Sequence, residues 1–506
     1  MSRRSFTGSS YLVLDLISSR RSRHPAPRFE KVEKPAVIAG TMPAMGGLRH
    51  GALAIALGVL SFGAFGCAED EAGPAGSGHI LLVTVDTLRA DHMGLYGYAR
   101  ATTPQIDRFF GERGRLFLRA YATSAYTSPS VVSVLTGLLP QDHRVRLFLQ
   151  LLGDEIPLLS EMLPAPYESA AFVSNSVLTD EAMGIGHRFD HYDDFVGERE
   201  ANRAAFERTA RRTTDAVLRW LRDERDPDRP LFLWVHYIDP HGPYGPPEEP
   251  PLRFSHDQPL PIDIARVPVV QRRRGQDDGL DYVDRYDEEI AYADAQIGRL
   301  FDAWAEIGPV DDSLVLFTAD HGETLMEHER WFDHGYHVYE ELVRVPLLLR
   351  GYGVPPGRSE ALVSGVDLVP TILGFAGAPV DPALPGFDLR DPEAIASDRA
   401  VFAEARRWRT AIQGDRKWML EYRQGRREIM DRRFYDLARD PGEQSPEPWQ
   451  QEGTTTRWLL ELGERDPDPG GYPHDPRRGH KLEAPKISPH ATPEQLEQLR
   501  ALGYVE

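Results

Sequence analysis

The run Tyr126-Thr127-Ser128-Pro129-Ser130-Val131-Val132-Ser133-Val134-Leu135-Thr136-Gly137 sets a hydroxyl nucleophile at the mouth of a short helix. Thr127 or Ser128 is predicted as the N-cap and Pro129 as the first helical residue, where no amide hydrogen is needed. Val131, Val132, Val134 and Leu135 carry the helix, and Gly137 closes it in a left-handed turn. Thr127 then faces unpaired amide N–H groups and the positive end of the helix dipole, a place that favours phosphate or sulfate. Taken alone, such a run is an ordinary capped surface helix. Other segments of the chain give it chemistry.

Three apolar runs end in residues able to bind a metal. His79-Ile80-Leu81-Leu82-Val83-Thr84-Val85 ends in Asp86, and Ser313-Leu314-Val315-Leu316-Phe317-Thr318-Ala319 ends in Asp320-His321-Gly322. Leu231-Phe232-Leu233-Trp234-Val235-His236 leads into Tyr237-Ile238-Asp239-Pro240-His241-Gly242-Pro243. Runs apolar on both faces and separated by helical patterns predict a largely parallel sheet, which places ligands beyond the carboxyl ends of its strands. An isolated Asp after a strand is usually a turn former or cap. Three strands ending this way, with Thr127 between them, predict a metal site.

These segments, with several others, resemble the sulfatases of the alkaline-phosphatase superfamily from about residue 78 to the end of the chain. The motifs that carry the resemblance run in order: Val85-Asp86-Thr87-Leu88-Arg89-Ala90-Asp91-His92, Gly94-Leu95-Tyr96-Gly97-Tyr98, Thr103-Pro104-Gln105-Ile106-Asp107, and Pro129-Ser130 through Gly137. His236 through His241, Thr318 through Glu323, Tyr339 through Pro346, Val366 through Thr371 and Tyr435 through Glu443 follow. The resemblance implies an α/β fold, an alkaline-phosphatase-like and mostly parallel sheet flanked by helices, with a small C-terminal α+β subdomain. It implies a metal-dependent hydrolase of sulfate esters, small-molecule or polymer. Asp86, Thr127, Asp320 and His321 fall on its metal positions, and His241 and His334 on positions that bind the anion or protonate the leaving group. His236 is a weaker substrate-binding candidate. His187, His191 and His256 read as ordinary core or surface histidines, the usual fate of most of the 17 in the chain.

The departures from the family pattern bear on mechanism. Sulfatases resemble Cys-x-Pro-Ser-Arg at the nucleophile, and the Cys (sometimes Ser) is oxidised to formylglycine. Thr127 stands there in this chain and Val131 replaces the Arg. A threonine secondary alcohol would oxidise to a ketone, so Thr127 is expected to attack as an alkoxide at the metal. That is similar to the threonine-nucleophile branches of the superfamily and keeps open a phosphate mono- or diester hydrolase or a phosphotransferase. A non-catalytic surface lipoprotein that binds anionic polymers is a third reading. Thr87 stands where many sulfatases carry a second metal-binding Asp, so one divalent ion (Ca, Mg, Mn or Zn) is expected rather than two. Asp239 is the weaker candidate for a second.

The 58 basic and 78 acidic residues give a net charge of −20, which argues against nucleic acid as a partner. The single cysteine, Cys67, ends an apolar run from Gly51 to Phe65 preceded by Arg49, a pattern resembling a lipoprotein signal. An exported protein, periplasmic or at the cell surface, is therefore expected, touching the membrane only through a lipid on Cys67. Residues 1–44 read as a non-native or disordered extension with the true start at Met42 or Met45, 45–67 as the signal, and 68–78 as a linker. Residues 79–380 read as the catalytic domain and 381–506 as the C-terminal subdomain. Within these, Tyr282 through Trp304 is amphipathic at helical spacing and Pro243 through Arg274 is a long loop beside His241, placed to shape substrate choice. Gly414-Asp415 is a turn between two short strand patterns, and Thr492 through Leu502 a capped terminal helix.

Overall fold

Alternation of apolar runs with helical segments produces the expected layered α/β architecture in the computed structural model. It describes residues 78–196, 207–245, 253–273, 275–423, 427–450 and 453–465. The segments read as an extension, a lipoprotein signal with Cys67, most of the linker and the capped terminal helix lie outside these residues.

The main sheet has eight strands: β1 (Ile80–Val85), β2 (Arg115–Tyr121), β3 (Glu168–Val173), β4 (His191–Asp193), β5 (Leu231–Tyr237), β6 (Leu314–Ala319), β7 (Arg344–Gly351) and β8 (Gly357–Ser364). Their order is β4-β3-β5-β1-β6-β7-β2-β8. All neighbours pair in parallel except at β7, which runs against both β6 and β2. Every residue of β1, β3, β5 and β6 is buried, as strands covered on both faces require.

The helices α1 (Pro104–Phe110), α2 (Thr127–Thr136), α3 (Ala210–Asp223), α4 (Gly279–Ile307) and α5 (Leu368–Phe375) flank this sheet. Helix α4 buries the predicted stripe Ile290, Ala293, Ile297, Leu300, Phe301 and Trp304 in the core around the sheet. Among the described residues no helix is long and apolar enough to cross a membrane.

A second, antiparallel sheet lies C-terminal: β9 (Ala400–Ala405), β10 (Trp408–Gln413), β11 (Arg416–Tyr422) and β12 (Ile429–Asp436), in the order β12-β11-β10-β9. The β10–β11 turn is at Gly414, whose φ of 56° suits glycine, as the Gly-Asp signal predicted. Helix α6 (Gly453–Arg465) sets Leu459 against Trp418 and Ala411 of this sheet. A bridge between Ser124 and Glu404 ties β9 to the approach of the Thr127 helix.

The start of α2 differs from the sequence expectation. Tyr126, in extended conformation, is the N-cap, Thr127 is the first helical residue and Pro129 the third. Neither hydroxyl caps the helix through its side chain, because both are drawn into the core: every residue from Thr127 to Thr136 is buried. Gly137 does end the helix left-handed, with φ 72°.

Candidate active site

Four neighbouring parallel strands, β3, β5, β1 and β6, deliver the site residues from their carboxyl ends. Asp86 follows β1, Asp320 and His321 follow β6, Asn175 lies just beyond β3, and β5 carries His236 and leads to His241. Helix α2 brings Thr127 to the same point. Its Oγ1 lies 3.3 Å from His321 Nε2, and the Ser130 hydroxyl donates to the Asp320 carbonyl at 2.5 Å, pinning the helix to the strand end.

The ring orientations follow from their partners. His321 Nδ1 donates to the Gly322 carbonyl at 2.8 Å, which leaves the Nε2 lone pair facing Thr127 and the two carboxylates. That nitrogen is 3.8 Å from Asp86 Oδ1 and 3.5 Å from Asp320 Oδ2. His241 likewise donates from Nδ1 to the Gly242 carbonyl at 2.7 Å. His334 packs against both imidazoles, with ring centres 4.7 Å from His321 and 5.0 Å from His241, and its Nδ1 meets Glu323 at 3.3 Å.

The expected ligands Asp86, Thr127, Asp320 and His321 are thus brought together with His241 and His334. His236 lies behind Asp86, fully buried. Trp234 Nε1 donates to Thr84 Oγ1, so the Thr84 hydroxyl donates on to His236 Nδ1 and turns the Nε2–H toward Asp86 Oδ2 at 3.6 Å. Asp239 accepts from the Ala210 amide at 2.8 Å, at the first turn of α3, where a carboxylate favours a helix N-terminus. His191 stacks on Trp220, and His256 bridges Asp278 and Asp284 at 2.7 and 2.6 Å, both structural settings.

Charge in the site is unbalanced in a way that suits a cation. Asp86 and Asp320 are wholly buried, and Asp86 Oδ1 and Asp320 Oδ2 have no hydrogen-bond partner. Burial and the neighbouring Asp86 push Asp320 up to about 7. Burial acts the same way on Asp86, but His236 and the charges of His241 and His321 outweigh it and hold Asp86 below the usual carboxylate range. One oxygen from each carboxylate and one nitrogen of His321 lie within 4.8 Å of one another. Two orphaned carboxylate oxygens beside an imidazole turned by a carbonyl are a donor set that fits a divalent ion, whose charge would offset their desolvation.

His334 is shifted the other way. Burial lowers it, but the Glu323 charge and hydrogen bond, with Asp333 and Asp86, raise it to about 9. His241 is lowered chiefly by burial, against the pull of Asp86. The site therefore presents one imidazolium and one neutral imidazole side by side near neutral pH.

Three contributors carry weaker sequence signals. Asn175 Nδ2 donates to Asp86 Oδ2 at 2.6 Å; it follows the apolar run of β3 just as Asp86 follows β1, and that position was its only cue. Glu323 stands inside the Asp-His-Gly-Glu motif, yet nothing local reveals that it faces His334. Gly335 has φ 81°, and a Cβ there would lie 2.5 Å from the Tyr126 ring. The backbone after His334 thus rests against the residue before Thr127.

A model of the sulfatase family matches residues 78–378, more than half of the chain. The chain is 25% identical to an arylsulfatase of Clostridium perfringens over 386 residues, covering 62% of this chain and 78% of that protein. Among solved structures it is similar to BT4656 in complex with its substrate D-glucosamine-2-N,6-O-disulfate, with a TM-score of 0.60 at 21% identity, covering 72% of this chain and 92% of that one. It is also similar to a phosphonate monoester hydrolase of Agrobacterium radiobacter, with a TM-score of 0.56 at 20% identity over 73% and 91% of the two chains. Family members use a divalent metal, and the donor set is in place here. With the mixed eight-stranded sheet and the smaller antiparallel one, these matches make the chain a member of the sulfatase family, an ester-hydrolysing enzyme of alkaline-phosphatase-like fold.

Proposed function

We propose that this enzyme hydrolyses sulfate esters through a covalent ester on Thr127, with one divalent ion held by Asp86, Asp320, His321 and the Thr127 hydroxyl. The observation that carries the reading is the buried Thr127 Oγ1, 3.3 Å from His321 Nε2 at the convergence of two carboxylates that each keep one oxygen without a hydrogen-bond partner. When bound, the ion supplies charge neutralisation for the ester oxygens and lowers the pKa of the hydroxyl. Thr127 Oγ1 attacks sulfur in line while the bond to the leaving oxygen breaks. His334, engaged with Glu323 through Nδ1, gives its Nε2 proton to that oxygen, while His241, neutral with its lone pair at Nε2 because Nδ1 donates to Gly242, takes up the Thr127 proton and then donates it in a hydrogen bond to the transferred group. Water then releases sulfate from Thr127. Asn175 and His236 act on the reaction by orienting Asp86.

A panel of 4-nitrophenyl sulfate, phosphate, phosphodiester and phosphonate tests the substrate class. The sulfate ester is expected to turn over fastest, Thr127→Ala to abolish turnover with the fold intact, and Thr127→Ser to keep part of it. Undiminished turnover by Thr127→Ala would overturn the covalent mechanism. The phosphate or phosphonate ester reading is favoured by Thr127 itself, which stands in place of an oxidisable Cys, and a preference for those esters in the same panel would establish it. For location we propose export with a lipid on Cys67; Cys67→Ser should then move the protein out of the detergent phase.

A further inference from the structure

A second group of buried carboxylates, sharing no residue with the Thr127 site, gathers where the loop before His334 meets the C-terminal sheet. Thr324 and Asp333 close that loop with backbone hydrogen bonds at 3.0 and 3.3 Å. Three segments contribute to the group. His328 lies in the loop, Glu341 in the short helix Glu340–Val343 that precedes β7, and Glu443 in the turn after β12. One nitrogen of His328 and one oxygen from each carboxylate lie within 4.8 Å of one another.

The negative charge here exceeds the cations that could balance it. Arg89 pairs with Asp91 and Glu327, both at 2.8 Å, and Lys417 pairs with Glu340 at 3.0 Å and Glu443 at 2.9 Å. Among the described residues no arginine or lysine pairs with Glu341. Its side chain is only 7% exposed, yet Oε1 has no hydrogen-bond partner. Oε2 lies 3.8 Å from His328 Nε2, too far for a hydrogen bond. Burial, with the charges of Glu327 and Glu443, raises Glu341 well above the usual carboxylate range.

The other two members are held in place with capacity to spare. His328 stacks face to face on Tyr339, with ring centres 3.6 Å apart. Burial, with Lys417 and Arg433, lowers it to about 4 against the pull of Glu327, so the imidazole is neutral and keeps a lone pair. Glu443 Oε2 accepts from the Glu340 amide at 2.6 Å. A carboxylate can accept about four bonds, so this amide and Lys417 do not exhaust it. Both residues are left-handed, His328 at φ 50° and Glu443 at φ 51°, a conformation that non-glycine residues keep only where their surroundings demand it.

From this convergence we infer that His328, Glu341 and Glu443 hold a structural divalent cation of the zinc class, which ties the loop before His334 and the approach to β7 to the C-terminal subdomain. An imidazole nitrogen among two carboxylates favours zinc or a similar transition ion over calcium and magnesium, which take oxygen ligands. The 3.8 Å between His328 Nε2 and Glu341 Oε2 is close to the about 3.4 Å that separates two ligands on one tetrahedral zinc ion. The ion would give Glu341 the partner its burial demands, which Lys417, engaged with Glu340 and Glu443, does not provide. A proton on Glu341 would cancel the charge but, at 3.8 Å, would make no hydrogen bond to His328.

The test uses the full chain carrying Asp320→Ala, which disables the donor set beside Thr127. Chelator-stripped protein is titrated with zinc, calcium or magnesium by calorimetry and followed in thermal melts. It is expected to bind about one zinc per chain and to melt higher with zinc, but not with calcium or magnesium. Glu341→Gln, which keeps the shape, and His328→Asn, which tolerates a left-handed backbone, should each weaken zinc binding by about 100-fold or more. Zinc-edge X-ray absorption should show one imidazole ligand in the parent and none after His328→Asn. Melts without metal establish that the variants are folded, and should His328→Asn fail to fold, Glu341→Gln decides alone. Zinc binding undiminished by Glu341→Gln, or calcium bound as tightly as zinc, overturns the assignment. So does an absence of zinc binding; Glu341→Gln as stable as the parent without metal would then show that the buried carboxylate carries a proton instead.

Discussion

Glu323→Gln isolates what holds His334 ready to donate a proton. The rise of His334 from its ordinary 6.5 to about 9 is worth roughly 3 kcal/mol of preference for the imidazolium, at about 1.36 kcal/mol per pH unit. Against the opposing effect of burial, Glu323 contributes the two leading raising influences, its charge and its hydrogen bond at 3.3 Å. Asp86 is the last of the raising influences. The glutamine keeps the shape and a hydrogen-bonding oxygen but removes the charge. Activity that needs the imidazolium persists up to about pH 9 in the native enzyme and falls as pH rises through that value. In the variant the alkaline limb of kcat/KM, which reports the free enzyme, should move down by about 1 unit or more. Stability follows with the same sign: the His334 contribution is complete below 6.5 and lost as pH rises through about 9. A loss confined to the height of the profile, with its alkaline limb unmoved, would refute the reasoning and reduce Glu323 to a packing residue.

Asn175→Ala removes the 2.6 Å donation to Asp86 Oδ2 and should lower kcat/KM by about 10–100-fold with unchanged circular dichroism, as loss of an outer partner of a metal ligand does; undiminished activity would show that Asp86 needs no such support. Gly335→Ala places a Cβ 2.5 Å from the Tyr126 ring at φ 81°, and denaturant unfolding should register a loss of about 2–4 kcal/mol from left-handed strain and overpacking together. His256 is raised by Asp284 and Asp278 against its desolvation, so its stabilisation is complete below 6.5 and fades as pH rises through its higher folded value. His256→Asn should therefore lower the melting temperature at pH 6 more than at pH 9, and an equal loss at both would rule out the ion pairs as the cause.

The parallel sheet could be read from β1, β5 and β6 because strands covered on both faces leave a continuous apolar run, and a carboxylate at its end marks the ligand side. The Gly414-Asp415 turn and the α4 stripe were equally local signals. The start of α2 was misread for a physical reason. Capping preferences describe helices that begin in water, whereas Thr127 and Ser128 begin theirs inside the core, where Thr127 turns toward His321 instead of toward its own amides. Asn175, Glu323 and the Tyr126–Gly335 contact were illegible because each acts on a partner about 10 to 210 residues away, and only the folded chain supplies that proximity. Arg406 lies further off still: its partner Tyr126 is 280 positions away.

The strand order carries a consequence for biosynthesis. Strand β1 is central, yet its neighbours are β5 and β6, and β2, made second, can pair only with β7 and β8. A ribosome that has released residues 78–230 has therefore produced four strands of which only β3 and β4 are partners of one another. The carboxylates of Asp86 and Asp320 cannot share an ion until more than 240 residues of this unit have emerged. Assembly of this donor set is consequently a late event in the life of the chain, coupled to the pairing of β1 with β6. Such long-range pairing is slow to form.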